Sequence, residues 1–295
     1  MKKKSAGQKI FLIVNYLILS IAGLLCLLPF INLLAVSFSS SSAVAAGSVT
    51  FWPREFTLSS YEYVLHSAKF IRAFLISLKR VGLGLMLNMF VMICTAYPLS
   101  KGKKQLYGKT FYTWYFVITM LIGGGMIPSY LVIVKLHLID TIWSLVLPGA
   151  LPVSNMIILM NFFKSTPEEL EEAAQIDGAG MWMTLWKVVL PISKPGLATV
   201  ALFSIVGHWN SWFDGLIYMN NPNHYPLQSY LQTLVISPEK MLQVSGGDYT
   251  KLLAMINART GRAAQLFLGA LPILMVYPFL QKYFSGGLLL GSVKG

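Results

Sequence analysis

Long apolar runs alternate with shorter polar stretches along this chain, and the runs have helical rather than strand length. Ile10 to Phe38 carries no charged residue, and it exceeds the roughly 20 residues that a helix needs to cross a bilayer. Further apolar runs cover Val81 to Pro98, Thr110 to Val134, Ile142 to Phe163, Gly196 to Met219 and Ala263 to Gln281. Gly123-Gly124-Gly125 and Pro128 interrupt the third run, which predicts a span followed by a short outer helix. Pro148 and Pro152 predict kinks in the fourth. The pattern therefore predicts an all-α integral membrane protein, a single transmembrane domain over residues 1–295 with six transmembrane helices.

The polar stretches between the runs carry the expected orientation. Lys2, Lys3, Lys4 and Lys9 precede the first run, and Lys101, Lys103, Lys104 and Lys109 crowd the short loop after the second. Short lysine-rich loops stay on the cytoplasmic side, so six spans put this loop, the segment 164–195 and both termini in the cytoplasm. Residues 39–80, with Ser39 to Ser42, Trp52-Pro53-Arg54 and Tyr61, are expected to form an ordered extracytoplasmic loop and an approach helix. Asn220 to Arg262, punctuated by Pro222, Pro226, Pro238, Gly246 and Gly247, reads as a second outer loop. Lys79 and Arg80, at the outer edge of the second span, are expected to snorkel to headgroups.

Composition narrows the class. A chain that is 55% hydrophobic and 12% charged, with a mean hydropathy of +0.63, is too apolar for an ordinary soluble domain. The net charge of +12 does not point to nucleic acid, because the basic residues flank apolar spans instead of forming a stripe interleaved with aromatics. Membrane lipids with anionic headgroups are the expected counter-charge. Cys26 and Cys94 lie inside apolar runs and read as small buried side chains. Ala43-Val44-Ala45 resembles a signal cleavage site, but the apolar region of a signal is only about 7–15 residues long, which favours a retained first helix.

One of the longest polar segments runs from Thr166 to Pro195 and gathers Glu168, Glu169, Glu171, Glu172 and Asp177. Thr166 followed three residues later by Glu169 predicts a capping box, with Pro167 in the first turn. Asp177-Gly178 predicts the helix end, since glycine accepts the left-handed turn. A second short helix is expected over Met181 to Leu190, closed by Pro191. Two short helices joined by a glycine elbow make a compact knob between two spans. Such a segment could also be an amphipathic helix lying on the membrane surface.

Glu172-Ala173-Ala174, three residues, Gly178, nine residues and then Val188-Val189-Leu190-Pro191 resembles the EAA loop of membrane subunits of binding-protein-dependent ABC importers. The departure is Val188, where that family usually has isoleucine. Leu138 to Thr141 and the two prolines of the fourth run resemble its carbohydrate branch, maltose-permease G-like and near importers of oligosaccharides and uronate-containing polysaccharides, and the tail from Tyr283 to Gly295 resembles the C-terminus of the family. The resemblance implies a type I ABC importer permease fold with a cytoplasmic coupling helix, in a bacterial inner membrane. It assigns Glu172, Ala173, Ala174, Asp177, Gly178, Leu190 and Pro191 to coupling with an ATPase, and Lys294 and Gly295 to a second ATPase contact. It also implies as partners a paralogous permease subunit, two copies of an ABC ATPase and an extracytoplasmic solute-binding protein, working by alternating access.

Gly108-Lys109-Thr110 ends like a nucleotide-binding loop, but the glycine that motif needs at position 103 is a lysine. ATP and magnesium are therefore expected on a partner, and no cofactor or catalytic residue is expected in this chain. No metalloprotease or hydrolase motif involves His66, His137, His208 or His224. For the substrate path, Trp209, Trp212, Phe213 and Tyr218 offer flat faces to a sugar ring, and Asn210 and Asp214 could bond its hydroxyls. The same aromatics would suit an interfacial belt. Asp214 stands apart, because a carboxylate near membrane depth faces a cavity or a partner. The outer loops are net basic despite Glu55, Glu62, Asp140, Asp214, Glu239 and Asp248, which would draw in an acidic glycan. The alternative class is a secondary transporter or channel driven by an ion gradient, which would need intramembrane acid–base pairs and an internal repeat.

Overall fold

Apolar side chains on all faces of one helix have no single core to enter, and the first helix shows this. The computed structural model describes residues 6–102, 106–236, 259–276 and 278, and among them all regular structure is helical. The described residues fall into two compact units, one built from the chain up to Ile71 with the described part of 233–271, the other centred on Arg72–Gln232.

In the first unit, α1 (Ala6–Ser37) is exposed along most of its length, as expected of a helix whose neighbours are lipid or another chain. The serine-rich tract after it is ordered. Ser40 caps α2 (Ser41–Ala45) by accepting from the Ala43 N–H at 3.2 Å. The Ser40 and Ser42 hydroxyls both donate to Glu55, whose carboxyl they hold below its ordinary value. Phe38 stacks on Phe56 and on Tyr61, and Ser37 meets the Tyr61 hydroxyl at 2.8 Å. Helix α3 (Ser59–His66) completes this tract.

Instead of the separate approach helix and span expected before and after Lys79-Arg80, Ala68 to Ser100 forms one continuous helix, α4. The residues before Val81 are polar enough to end an apolar run but include no helix breaker. Helices α5 (Lys109–Leu121) and α6 (Met126–Lys135) are bent by 108° at the triple glycine, where Gly125 has φ +85°. This matches the expected broken third run.

The fourth and fifth runs are not single helices. Ile142 to Phe163 divides into α7 (Ile142–Val146) and α8 (Val153–Lys164), with Pro148 and Pro152 in the break. Each proline lacks an N–H and restricts the residue before it, and two only four residues apart end a helix rather than kink it. Gly196 to Met219 divides into α12 (Lys194–Asn210) and α13 (Phe213–Tyr218) at Ser211-Trp212. The expected outer loop from Asn220 holds a 3₁₀ turn (Pro222–His224) and helix α14 (Leu227–Ile236). Residues 259–276 form a final helix, α15, that begins ahead of the expected Ala263. By length and composition α1 and α4 could each cross a membrane, and the bent pairs α5–α6 and Met181–Ile192 with α12 raise the number to four.

The core of the second unit positions the knob. Met92, Ala96 and Leu99 of α4 meet Met156, Leu159, Met160 and Phe163 of α8, each set at the three- and four-residue spacing of one helix face. Leu185, Val189 and Leu190 from the segment after Gly178 enter the same cluster, as does Val200 of α12. Gly196 lies against the Phe162 ring with no room for a Cβ, so α8 and α12 approach closely there.

Candidate functional site

The knob is built from local rules. Helix α9 (Glu168–Ile176) starts with Glu168, Glu169 and Glu171 in its first turn, which complement the positive end of the helix. It ends at Asp177, and Gly178 takes φ +82° as the left-handed turn requires. The expected capping box is not formed. Pro167, with ψ 132°, occupies the cap position, so Glu169 stands at the second helical position and not the third. The Thr166 hydroxyl is buried without a hydrogen-bond partner. Proline with extended ψ takes the cap because its missing N–H costs nothing there.

The second segment does not stop at Pro191. Helix α10 (Met181–Thr184) widens into a π turn over Leu185–Val189 and continues as α11 (Leu190–Ile192). In a regular helix the Pro191 ring would strike the Lys187 carbonyl. The wider turn, in which the Leu190 N–H reaches back to the Leu185 carbonyl, relieves that contact.

Of the residues assigned to coupling, Glu172 and Ala173 are exposed on α9, Ala174 is half-buried, and Asp177 and Gly178 form the exposed elbow. Leu190 is in the core and Pro191 is exposed. Around them lies an unusual amount of uncovered apolar surface. Ile176 is 87% exposed, and Met181, Trp182, Met183 and Trp186 are also exposed. Lys294 and Gly295 lie outside the described residues, as do Lys103 and Lys104.

The lysine loop reaches the knob directly. Lys101 Nζ pairs with Glu171 and sits 4.2 Å above the Tyr97 ring centroid. Lys109 Nζ donates to the Lys101 carbonyl. Loop and knob therefore lie on one side of the second unit, as the charge pattern predicts.

Near the middle of α4 a cavity of about 410 Å³, with both polar and apolar side chains in its wall, opens within the second unit. Arg80 is expected to snorkel outward, yet it is only 2% exposed. Its guanidinium pairs with Asp214 and donates to the Ser211 carbonyl at 3.2 Å and the Leu145 carbonyl at 3.4 Å. The correction has a simple cause: α7 and α12 both end at this level, and the Leu145 and Ser211 carbonyls and the Asp214 carboxylate attract the cation inward. Asn88 lies below. With its amide oxygen turned toward His208 Nε2, 3.2 Å away, its nitrogen donates to the Gly84 and Gly149 carbonyls at 3.1 Å, so the break between α7 and α8 is partly satisfied by side chains.

Of the aromatic and polar group expected along a substrate path, the cavity takes in only Asp214 and Tyr218. Trp209 is buried, edge-on to Phe74 with ring centroids 5.7 Å apart. Tyr218 stacks on Tyr130. Asn210, Trp212 and Phe213 are exposed and do not line the cavity. Arg80, Asn88 and His208 are among the lining residues that sequence reasoning missed. The available signal was Asp214 itself, a carboxylate that required a cation.

With this geometry in place, the comparisons with known proteins fall into line. Residues 1–289 match the family of binding-protein-dependent transport system inner membrane components, and the chain belongs to that family of ABC importer permease subunits. It is 40% identical over 295 residues to protein LplC of Bacillus subtilis (strain 168), covering 100% of this chain and 98% of that one. It is 36% identical over 290 residues to the polygalacturonan/rhamnogalacturonan transport system permease protein YtcP of the same bacterium, covering 98% and 99%. Its fold matches, with a TM-score of 0.86 and 30% identity, a chain from the crystal structure of a bacterial ABC transporter involved in the import of the acidic polysaccharide alginate, covering 96% of this chain and 100% of that one. The type I importer permease fold implied by the EAA-like loop is thus the fold of this chain.

Proposed function

We propose that this chain is one half of a heterodimeric permease that imports an acidic oligosaccharide or polysaccharide fragment across a bacterial inner membrane, with both termini in the cytoplasm. The observation that carries the reading is the knob. Its α9 carboxylates and the exposed Ile176, Met181, Trp182 and Trp186 form an apolar patch rimmed by charge, which is the composition of a protein-docking surface. In this reading Glu172, Ala173, Ala174, Asp177, Gly178 and Pro191 engage a partner ATPase, and Leu190 anchors the knob to the core.

Two ATPase subunits closing on ATP draw the knobs of this chain and a paralogous permease together. The six membrane passages, several of them broken helices, then pivot from inward-open to outward-open, and a solute-binding protein delivers the sugar. Hydrolysis on the ATPases resets the cycle. The names of the relatives, which concern polygalacturonan, rhamnogalacturonan and alginate, favour an acidic glycan, and of the aromatic and polar side chains expected to meet it Asp214 and Tyr218 line the cavity. The Arg80–Asp214 pair by itself would also suit an ion-driven carrier. Family membership and the exposed knob favour ATP.

The test is affinity purification of the tagged chain from mild detergent, followed by an ATPase assay and ATP-driven uptake with candidate oligosaccharides and their binding protein. Co-purification of a second permease and an ATPase stimulated by the loaded binding protein is expected. A chain that purifies alone and transports in a proton or sodium gradient would overturn the reading.

A further inference from the structure

The guanidinium of Arg80 has five N–H donors. Four have acceptors: Asp214 Oδ1 at 3.1 Å and the Ser211 carbonyl for Nη1, Asp214 Oδ2 and the Leu145 carbonyl for Nη2. Nε is buried and has none. An arginine so enclosed cannot be left without an anion, because burying an unpaired charge is far costlier than burying a pair.

Asp214 is held differently. Its Oδ1 also accepts from the Ser211 hydroxyl and from the Gly215 N–H, both at 2.9 Å, and its side chain is 24% exposed. It therefore keeps two donors and contact with the cavity if the arginine turns away. The pair is asymmetric: Arg80 requires a carboxylate, but not this one.

Both residues line the cavity, along with Asn155 and Tyr218, whose amide and hydroxyl suit sugar hydroxyl groups. His208 is the further titratable group on the wall. Since Arg80 is the only full-time cation there among the lining residues, an incoming anion has one place to go.

We propose that Arg80 is the acid-recognition residue of the permease: the carboxylate of a uronic-acid sugar exchanges with Asp214 for the guanidinium, and Asp214 falls back on Ser211 and Gly215. The inference rests on the importer reading above and deepens it, because it places the choice between acidic and neutral sugars inside this subunit as well as in a binding protein. Bidentate arginine–carboxylate pairing supplies the chemistry, and no covalent step is involved.

The experiment measures equilibrium binding of a short oligogalacturonate and of its methyl ester to the detergent-purified full importer, without binding protein. Wild-type importer is expected to bind the acid about tenfold more tightly than the ester, on the order of one charge-assisted pair. R80Q, and the double variant R80Q/D214N that removes both charges together and so protects folding, are expected to bring the two ligands within about twofold of each other. D214N is expected to tighten acid binding several-fold by removing the internal competitor. An acid preference that survives in the double variant, or is absent from wild type, overturns the inference. ATP-driven uptake of any saccharide, measured alongside, separates the two readings: uptake without acid preference at Arg80 leaves the importer standing, whereas no uptake of any saccharide removes the importer reading itself.

Discussion

Lys101, the residue after the end of α4, and Glu171 of α9 lie 70 positions apart and form an ion pair in which both side chains are only about 15% exposed. The same long helix carries Arg80 in its first half. At a rise of 1.5 Å per residue the two cations are separated by about 30 Å along one rod, so α4 joins the cavity to the knob.

If that rod carries movement of the knob, its ion pair matters for coupling more than for folding. K101E or E171K alone is expected to lower sugar-stimulated ATPase activity by roughly tenfold, about 1.4 kcal/mol of coupling. The exchange K101E/E171K should restore most of it. Purified complexes of all three would be compared at equal membrane levels, and a double variant no better than the singles would remove the pair from the mechanism.

Gly178 has φ +82° and no atom within 4 Å of where a Cβ would stand. The constraint at the elbow is therefore conformational and not steric. Gly178→Asn, which tolerates a left-handed backbone, should keep most uptake, while Gly178→Val should lose it. Glu172→Lys should also abolish coupled uptake with the protein still inserted and assembled. Equal uptake by the asparagine and valine forms would contradict the assigned role of the turn.

Gly84 and Gly82 offer a matched pair on α4. A Cβ at Gly84 would overlap the His208 imidazole, whereas one at Gly82 would meet nothing within 4 Å. Gly84→Ala is expected to destabilise the chain by about 1–3 kcal/mol through forced repacking of α4 against α12. Gly82→Ala should be neutral or stabilising by up to about 1 kcal/mol. Thermal denaturation in detergent distinguishes them, and equal effects would mean the close approach at Gly84 is not needed.

Asp140 supplies a pH test outside the spans. Burial acts to raise its pKa, but the hydrogen bond from His224 at 2.9 Å, the Asn221 N–H and the attraction of His224 outweigh it and hold the carboxyl below its ordinary value. A carboxyl with a depressed folded pKa stabilises above its unfolded value, about 3.9, and that contribution disappears as pH falls through the folded value. The pair is largely open to solvent, so D140N should cost less than about 1 kcal/mol near neutral pH. The difference from wild type should shrink as pH falls below about 4 and vanish once pH is below the folded value, and a difference that persists there would show that the loop, not the charge, is responsible.

Much of this protein was legible because it depends on neighbours in the chain. The apolar length of Ile10 to Phe38 appears as α1, the triple glycine as the 108° bend, and Asp177-Gly178 as the end of α9. The EAA-like spacing was legible for the same reason: alanines, an elbow glycine and an acidic residue act within two turns of helix.

The cap at Thr166 was misread by one position, since a threonine and a proline side by side can each begin a helix and only the backbone torsions choose. The stop at Pro191 was misread because a proline ends a regular helix, and whether the turn before it can widen depends on how Leu185, Val189 and Leu190 seat in the core.

By itself the sequence determined the membrane class, the helical elements with local stop signals, and the knob, because hydrophobic length, glycine torsion and charge density are properties of short segments. Only the tertiary structure decided that Arg80 turns inward to Asp214, 134 positions away, that Trp209 is core while Tyr218 lines the cavity, and that Lys101 reaches Glu171. Those partners are chosen by which carbonyls and carboxylates the broken helices leave free at the same level of the fold, and no local pattern encodes that coincidence.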